Sequence, residues 1–532
     1  MNAKAIDVWS RIYSDLTTKA IFVASVLYMV FIASGGWDSN LLLMHSFRQT
    51  QTAITVSALL KGGPWLAYET PVLGPPWSIP FEFPLYQWIV ALVVKTGWFH
   101  INQAGRLVSE LFFFSALYPL FQILALLQIS KKQRYIILAI FCISPQYLFW
   151  SQTFMIESAA LALSIYFLWL TFLCREMIDS NRIDWLVLLS LSVVGSLAGL
   201  VKITTFFSFL GGAVVITAVF AFGKYRRDGF QRKKLQSLIL VLTAIGLVPF
   251  LAVSVWTGYA DSLKELNPLG KWLTSGTLQV WNFGTLDQKL SLKTWSIFYA
   301  RTFSDLVGNS LLLVISIAML FFCRKALAIS ALVSIGLYTL AVLTFTNLHY
   351  IHNYYAYANG IFLVVAVGIA ITELFESPNN IKRVVGLLLF GMVIFFSVEH
   401  FKNQYMPIQN AHFDFTSIRG EINAYSKPED VFIVIGDDWS SAVPYYINRR
   451  TAPIKEQLFT SPKFSESFSD LKKNLQKYHI GGIIFRTKYN VLPKGDREFI
   501  NDAVRFFNIK PVSLSKQQWY DNSRLFIVYN GS

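Results

Sequence analysis

The segment His45–Ala53, HSFRQTQTA, concentrates polar side chains about ten residues after the first long apolar segment of the chain. Polar groups at such a position are costly unless they serve a site, so their density indicates a function. Arg48 has a planar guanidinium that can hold two oxygens of a phosphate at once. In a helix beginning near Ser46, Gln51 lies one turn from Arg48, and Gln49 adds a second amide. We therefore predict a phosphate-binding face, with an arginine that merely anchors at an interface as the alternative.

A reaction at a hydroxyl group also needs a base, and several residues qualify. His45 is a candidate because an imidazole titrates near neutral pH, although it can equally cap or orient the helix. Asp38 is either a base or a solvated residue at the end of the first apolar segment. Glu82 lies in the apolar, proline-bounded run Ile79–Pro84, where a carboxylate indicates a functional site. An ion pair of Glu82 with Arg106 is the structural alternative.

Two charged residues further along interrupt apolar sequence. Glu157 begins an apolar segment within FMIES, and a lone acid at the edge of such a segment is uncommon. Lys202 lies between two apolar segments, so it can contact either an acid or a phosphate. We predict Glu157 as a further candidate base and Lys202 as a donor-binding residue.

The run NLHYIHNYY at 347–355 combines histidine, amide and tyrosine side chains. His349 and His352 have the i,i+3 spacing of metal ligands, but no acidic residue lies beside them. We favour recognition of a sugar or phosphate by these histidines, Asn353 and Tyr355, with aromatic stacking, over a zinc site. Tyrosines placed at a membrane interface explain part of the pattern. No cofactor is predicted, because the sequence does not support a divalent metal site.

Composition identifies the elements that must hold these residues. The 532-residue chain is 54% hydrophobic and 14% charged, with a mean hydropathy of +0.46. Soluble proteins contain about 25% charged residues, so the sequence predicts a polytopic α-helical membrane protein. The three cysteines form neither a CxxC motif nor a Cys/His cluster, which argues against a disulfide framework or structural zinc. The mixed-charge segment Met1–Lys19 lacks the features of a cleavable signal.

Apolar runs predict about 11 transmembrane helices, with Leu85–Trp98 as a short re-entrant or juxtamembrane helix. Basic residues concentrate on alternate connections, which the positive-inside rule places in the cytoplasm together with the N-terminus. The formal charge of +15 is therefore a topology signal, and no nucleic-acid partner is predicted. The predicted spans are 20–35, 107–128, 135–150, 157–174, 185–201, 204–222, 237–256, 307–323, 326–345, 355–374 and 384–401.

This topology places three larger regions on the opposite face: residues 36–106, 257–301 and everything after about Lys402. Short apolar runs in the tail alternate with helical spacing, which predicts a small external α/β domain. We therefore divide the chain into a transmembrane catalytic domain, 1–401, whose first external loop is 36–106, and a soluble domain, 402–532. The predicted strands of the tail are Asp430–Ile435, Gly481–Arg486 and Arg524–Tyr529, and its predicted helices are Phe468–Tyr478 and Arg497–Phe507.

These motifs, in this order, resemble the bacterial GT-C membrane glycosyltransferases, the group that includes aminoarabinose lipid A transferases and protein O-mannosyltransferases. The first loop of that family commonly opens a helix with an Asp-Glu pair followed by Arg. Here His45-Ser46-Phe47-Arg48 occupies that place, so Arg48 matches and the acidic pair does not. Pro84–Trp88 matches a Pro-Leu-x-x-Trp stretch, although relatives often have a basic residue where this chain has Glu82. Gly105–Leu107 and the acid at 157 also match.

The resemblance implies transfer of a sugar from a polyprenyl-phosphate-linked donor to a lipid, glycan or protein acceptor. It places the reaction on the periplasmic face of the bacterial inner membrane, among membrane lipids, with the tail periplasmic. An O-antigen polymerase or ligase is one alternative. A transporter is another, although transporters show internal repeats and polar residues at the bilayer midplane, whereas ionisable residues here cluster at the ends of spans. A non-catalytic membrane scaffold is the third.

Overall fold

The computed structural model describes residues 13–42, 44–180, 182–229, 232–437, 439–454 and 462–531. The N-terminal residues 1–12, on which the signal-peptide prediction partly rests, lie outside this part. The chain forms two compact units. We call them the helical unit (Met1–Asp38, Arg106–Val255 and Gln279–Asn410) and the sheet unit (Ser39–Gly105, Trp256–Leu278 and Ala411–Ser532). The sheet unit groups the first loop and 256–278 with the tail, a grouping that the sequence-based division at 401/402 does not contain.

Within the described residues, eight helices are long and apolar enough to cross a membrane, and a bent helix pair brings the number to nine. The pair, Leu292–Val307 and Ser310–Phe322, is bent by 81°. The chain is therefore a multi-pass membrane protein, as predicted. The eight helices are Asp15–Gly35, Ile101–Leu126, Glu157–Ile178, Trp185–Arg227, Leu235–Glu265, Lys325–Thr344, Tyr355–Glu376 and Asn380–Gln409.

The difference from the predicted 11 spans has two local causes. The helical residues from Trp185 to Arg227 number 43, which at 1.5 Å per residue is about twice the ~30 Å hydrocarbon core of a bilayer. The backbone leaves the helical conformation at Lys202 (φ −162°, ψ 94°), so this stretch corresponds to the two predicted spans 185–201 and 204–222. The predicted span 135–150 is instead two short helices, Lys131–Ile143 and Pro145–Trp150. They separate at Ser144, because a residue before proline avoids helical geometry.

The bend between the paired helices occurs at Gly308, whose φ is +79°. A Cβ at this position would lie 2.1 Å from the carbonyl carbon of Phe396, so only glycine fits both the backbone and the contact. Asn309 then caps the second helix by accepting a hydrogen bond from the Leu312 amide at 3.0 Å. The bend is therefore encoded by a glycine and a capping residue.

The sheet unit contains a sheet of five strands: β1 (Val431–Ile435), β2 (Arg450–Ile454), β3 (Ile480–Thr487), β4 (Pro511–Gln518) and β5 (Arg524–Asn530). The strands lie in the order β2-β1-β3-β5-β4. β1 pairs in parallel with β2 and β3, whereas β5 pairs antiparallel with β3 and β4. Buried side chains cover both faces of the sheet. The main helices of this unit are Ser46–Leu60, Leu85–Lys95, Thr416–Tyr425, Ala442–Ile447, Pro462–Leu475 and Lys494–Phe506.

This architecture confirms the predicted membrane protein with a small C-terminal α/β domain. The three strands predicted from buried apolar runs are β1, β3 and β5. The two strands that the prediction missed are β2 and β4, the edges of the sheet. β2 contains Pro453, and β4 is rich in serine and glutamine, so neither has a strand-like apolar pattern.

Candidate functional site

In the sheet unit, Arg48 and Glu82 form an ion pair. The Nη2 of Arg48 contacts Oε1 of Glu82, and its Nη1 donates to Oε1 of Gln51 at 2.7 Å. The helix begins at Ser46 as predicted, so Arg48 and Gln51 are one turn apart. Glu82 thus pairs with Arg48 and not with Arg106, whose guanidinium donates to a backbone carbonyl at 3.1 Å. Arg48, the predicted phosphate ligand, therefore directly contacts Glu82, one of the predicted bases.

Neighbouring side chains fix the backbone on which Glu82 lies. The Tyr68 hydroxyl donates to the Glu82 carbonyl at 2.9 Å and accepts from the Phe81 amide at 2.7 Å. Trp256 donates from Nε1 to the Phe81 carbonyl at 3.0 Å. Burial, together with the charge of Glu82, raises the pKa of Tyr68, so the phenol stays protonated and can donate. The carboxylate is thus held on a rigid segment.

The tail holds the first turn of the helix Ser46–Leu60. Ser441 donates from Oγ to the Phe47 carbonyl at 2.6 Å, and its Oγ lies 2.9 Å from Oγ1 of Thr50. The hydroxyls of Ser46 and Tyr520 are 2.8 Å apart. Because these contacts flank Arg48 in sequence, residues nearly 400 positions away determine where its guanidinium lies.

The first loop also covers an edge of the sheet. The amide of Gly74 donates to the Thr451 carbonyl at 3.1 Å, and the Thr451 amide donates to the Pro71 carbonyl at 3.2 Å. Oε2 of Glu69 lies 2.7 Å from Nη2 of Arg450, and Arg450 belongs to the same strand, β2, as Thr451. These contacts satisfy backbone groups of an edge strand and join the first loop to the tail.

The other predicted residues of this region have different surroundings. His45 adopts a left-handed conformation (φ 56°) just before the helix and makes no side-chain capping bond, so it does not cap the helix. Gln49 is fully buried and donates to the Met44 carbonyl at 3.3 Å. Gln51 presents a buried Nε2 that has no hydrogen-bond partner among the described residues. Asp38, which belongs to the helical unit, is exposed.

In the helical unit, Glu157 and Lys202 form a buried ion pair. Their side chains are 1% and 4% exposed, and Nζ of Lys202 contacts Oε2 of Glu157. Lys202 also lies over aromatic rings, 4.0 Å from the centre of Tyr355 and 5.1 Å from that of Tyr354. Oε1 of Glu157 has no hydrogen-bond partner among the described residues. Burying two charges is costly even when they pair, so this arrangement favours a functional site over a stabilising one.

His349 adds a second buried acceptor to this cluster. Its Nδ1 lies 3.0 Å from the Phe345 carbonyl, which requires a proton on Nδ1 and leaves Nε2 as an acceptor. This Nε2 is buried and has no partner in the part of the chain described. Burial lowers the pKa of His349 to about 4, and the charges of Lys202 and Arg301 add to the effect. The imidazole is thus neutral at pH 7 and ready to accept a hydrogen bond.

The remaining residues of the 347–355 run line the same region. His352 stacks on Tyr354 and Tyr355 with ring centres 5.2 and 6.1 Å apart, and Asn353 is 7% exposed. The structure therefore brings Glu157, Lys202, His349 and Tyr355 into one cluster. Across the described ranges, no group of three or more His, Cys, Asp or Glu side chains is arranged to hold a metal.

Two further polar contacts of the helical unit, one of them to His349, were not predicted from the sequence. Arg301 donates to the His349 carbonyl, and His400 Nε2 lies 3.0 Å from Oδ1 of Asp305. Arg301 belongs to the π-helical turn Phe298–Phe303, and a second such turn begins directly after His400. π-helical turns often occur at functional sites. They break the 3.6-residue period, so hydropathy spacing does not reveal them.

No family model and no curated protein sequence matches the chain. Solved structures do. One is ArnT from Cupriavidus metallidurans bound to undecaprenyl phosphate, with a TM-score of 0.59 and 11% identity over 96% of this chain and 98% of that chain. The apo state of that ArnT has a TM-score of 0.56 and 12% identity, over 95% of this chain and 97% of that chain. The chain has the fold of the GT-C membrane glycosyltransferases. Arabinofuranosyltransferase AftD from Mycobacteria is also similar, with a TM-score of 0.51 and 12% identity over 98% of this chain and 40% of that chain.

The GT-C fold confirms the resemblance predicted from the motifs around Arg48, Pro84 and Glu157. At 11–12% identity, sequence comparison has little to detect. The similarity establishes the fold of the chain. Its chemistry has to be argued from the two clusters described above.

Proposed function

We propose that the chain is a membrane glycosyltransferase that moves a sugar from a polyprenyl-phosphate carrier to a hydroxyl group of a lipid, glycan or protein acceptor. The GT-C fold supports this proposal, as does the undecaprenyl phosphate bound to the similar ArnT. We further propose that the reaction occurs on the periplasmic face of a bacterial inner membrane, with a cytoplasmic N-terminus and a periplasmic tail. No cofactor is part of the proposal.

The observation on which the proposal rests is the buried Glu157–Lys202 pair with its adjacent acceptor atoms. Oε1 of Glu157 and Nε2 of His349 are both acceptors, and a buried acceptor without a donor costs about 1–3 kcal/mol. Sugar hydroxyls supply such donors, and the rings of Tyr354 and Tyr355 suit a sugar face. The ammonium group of Lys202 suits a phosphate. A pore or a scaffold has no need for this combination.

Transfer requires the bond between the anomeric carbon and the phosphate oxygen to break, with the electron pair going to the phosphate. Cations stabilise the charge that develops on the leaving phosphate. The candidate for this role in the helical unit is Lys202, and the separate candidate in the sheet unit is Arg48. The acceptor hydroxyl attacks the anomeric carbon and loses its proton to a base. In the sheet unit we propose Glu82 as the base, because 26% of its side chain is exposed.

Lipid analysis of cells tests this assignment. A deletion strain should accumulate the polyprenyl-phosphate sugar that the enzyme normally consumes, as measured by mass spectrometry of extracted lipids. The wild-type gene should remove the accumulated lipid. The Lys202→Met variant, present in the membrane at equal amount, should not. An unchanged lipid profile in the deletion strain would contradict the proposed function.

A further inference from the structure

A cavity of about 310 Å³ lies between the membrane-spanning helices of the helical unit, apart from the residues assigned to glycosyl transfer. Five helices contribute its walls: Ile101–Leu126, Glu157–Ser180, Trp185–Asp228, Lys325–Thr344 and Ile361–Glu376. Its lining is aliphatic and aromatic over most of its area. Among the described residues that line it, Arg175 alone is charged. A space of this kind suits an apolar chain attached to an anionic group.

The position of Arg175 gives the cavity a direction. Ile165, Leu168, Phe172 and Arg175 line the cavity from one face of the same helix, at the spacing of successive turns. From Ile165 to Arg175 this stripe is roughly 15 Å long, half of the ~30 Å hydrocarbon core. The cavity therefore has the length of one leaflet, with a cation at one end.

That end lies at the opposite membrane face from the proposed donor site. Glu157 and Arg175 belong to one helix and are about 27 Å apart along its axis, close to the thickness of the hydrocarbon core. Other helices end in basic residues on the same side as Arg175, including Arg227 after the cavity-lining Phe220 and Lys325 before the cavity-lining Ile329. The local charge thus favours an anionic headgroup.

We propose that this cavity binds one acyl chain of an anionic phospholipid, with the lipid phosphate at Arg175, in the leaflet opposite to Glu157 and Lys202. The guanidinium carbon of Arg175 lies 5.4 Å from the centre of the Phe220 ring, which places its charge beside the wall of the cavity. A polyprenyl donor is a poorer match, because its phosphate belongs at the other face and its tail offers Arg175 no partner.

Native mass spectrometry of the full-length protein tests this proposal without reference to activity. The probes are phosphatidylglycerol and phosphatidylcholine with identical acyl chains. We expect the wild type to retain one phosphatidylglycerol and to prefer it over phosphatidylcholine by roughly fivefold to tenfold. Arg175→Gln should bring the two lipids to near parity. Arg182→Gln is the matched control, since this neighbouring arginine does not line the cavity, and it should keep the preference.

Cavity-filling variants test whether the acyl chain occupies this cavity. Ser334→Phe and Val219→Phe project a ring into the cavity from two different helices, so a folding defect in one does not decide the outcome. Each variant that keeps the melting temperature of the wild type should lose binding of both phospholipids. Retained binding in both filled variants would overturn the proposal. Displacement of phosphatidylglycerol by undecaprenyl phosphate would also overturn it, because the cavity would then belong to the donor.

Discussion

At the scale of single residues, the central feature of the sheet unit is that Arg48 and Glu82 contact each other. If Arg48 holds the donor phosphate, Arg48→Lys should lower turnover roughly 10- to 100-fold, because an ammonium cannot contact Gln51, Glu82 and a phosphate as the planar fork does. Arg450→Lys is the control, since Arg450 is also an ion-paired arginine of this unit, bound to Glu69. Both variants should insert into the membrane normally. Full turnover in Arg48→Lys would reduce Arg48 to an anchoring role.

The second residue prediction concerns the base. Glu82→Gln keeps the shape of the side chain but cannot accept a proton, so turnover with a lipid-linked donor should fall roughly 10²–10⁴-fold while donor binding persists. Glu69→Gln, which alters another carboxylate paired with an arginine in this unit, should leave turnover nearly unchanged. Loss of donor binding together with turnover would mean that Glu82 positions the substrate. If neither turnover nor donor binding is lost, the role of the base moves to His45.

At the scale of elements, the tail is predicted to position the helix Ser46–Leu60. The double variant Ser441→Ala and Tyr520→Phe removes the hydroxyls that contact the first turn of this helix, at about 0.5–1.5 kcal/mol for each hydrogen bond. We expect faster amide hydrogen exchange in that helix and a lower kcat at an unchanged membrane content. Tyr489→Phe, at an exposed position of the tail, is the control. Unchanged exchange in the double variant would show that the tail does not position the helix.

The elements also show what the sequence could and could not predict. β1, β3 and β5 were predictable because their residues are apolar and buried, and the helix start at Ser46 followed from the polar run. The edge strand β2 was not, because the first loop supplies its outer hydrogen bonds, and hydropathy contains no record of such pairing. Likewise, the contact between Arg48 and Glu82 joins residues 34 positions apart through a proline-bounded loop. The individual residues were found from their types, whereas their partners required the fold.

At the scale of the whole molecule, the distribution of basic residues predicts which side of the membrane each region occupies. A reporter that is active only after export should be active when fused after Asn403. The same reporter fused after Gly229, in a connection rich in lysine and arginine, should be inactive. This contrast between two fusions of one chain controls for expression. Activity of the Gly229 fusion alone would reverse the predicted topology.

The central claim is that the chain consumes a polyprenyl-phosphate sugar through the cluster around Glu157 and Lys202. The most direct measurement incubates the purified protein, reconstituted in lipid nanodiscs, with the polyprenyl-linked sugars extracted from the deletion strain. Mass spectrometry then follows the free polyprenyl phosphate. We predict that the wild type releases it in the presence of a membrane acceptor fraction and that Lys202→Met does not. Equal amounts of polyprenyl phosphate with wild type, variant and empty nanodiscs would contradict the account.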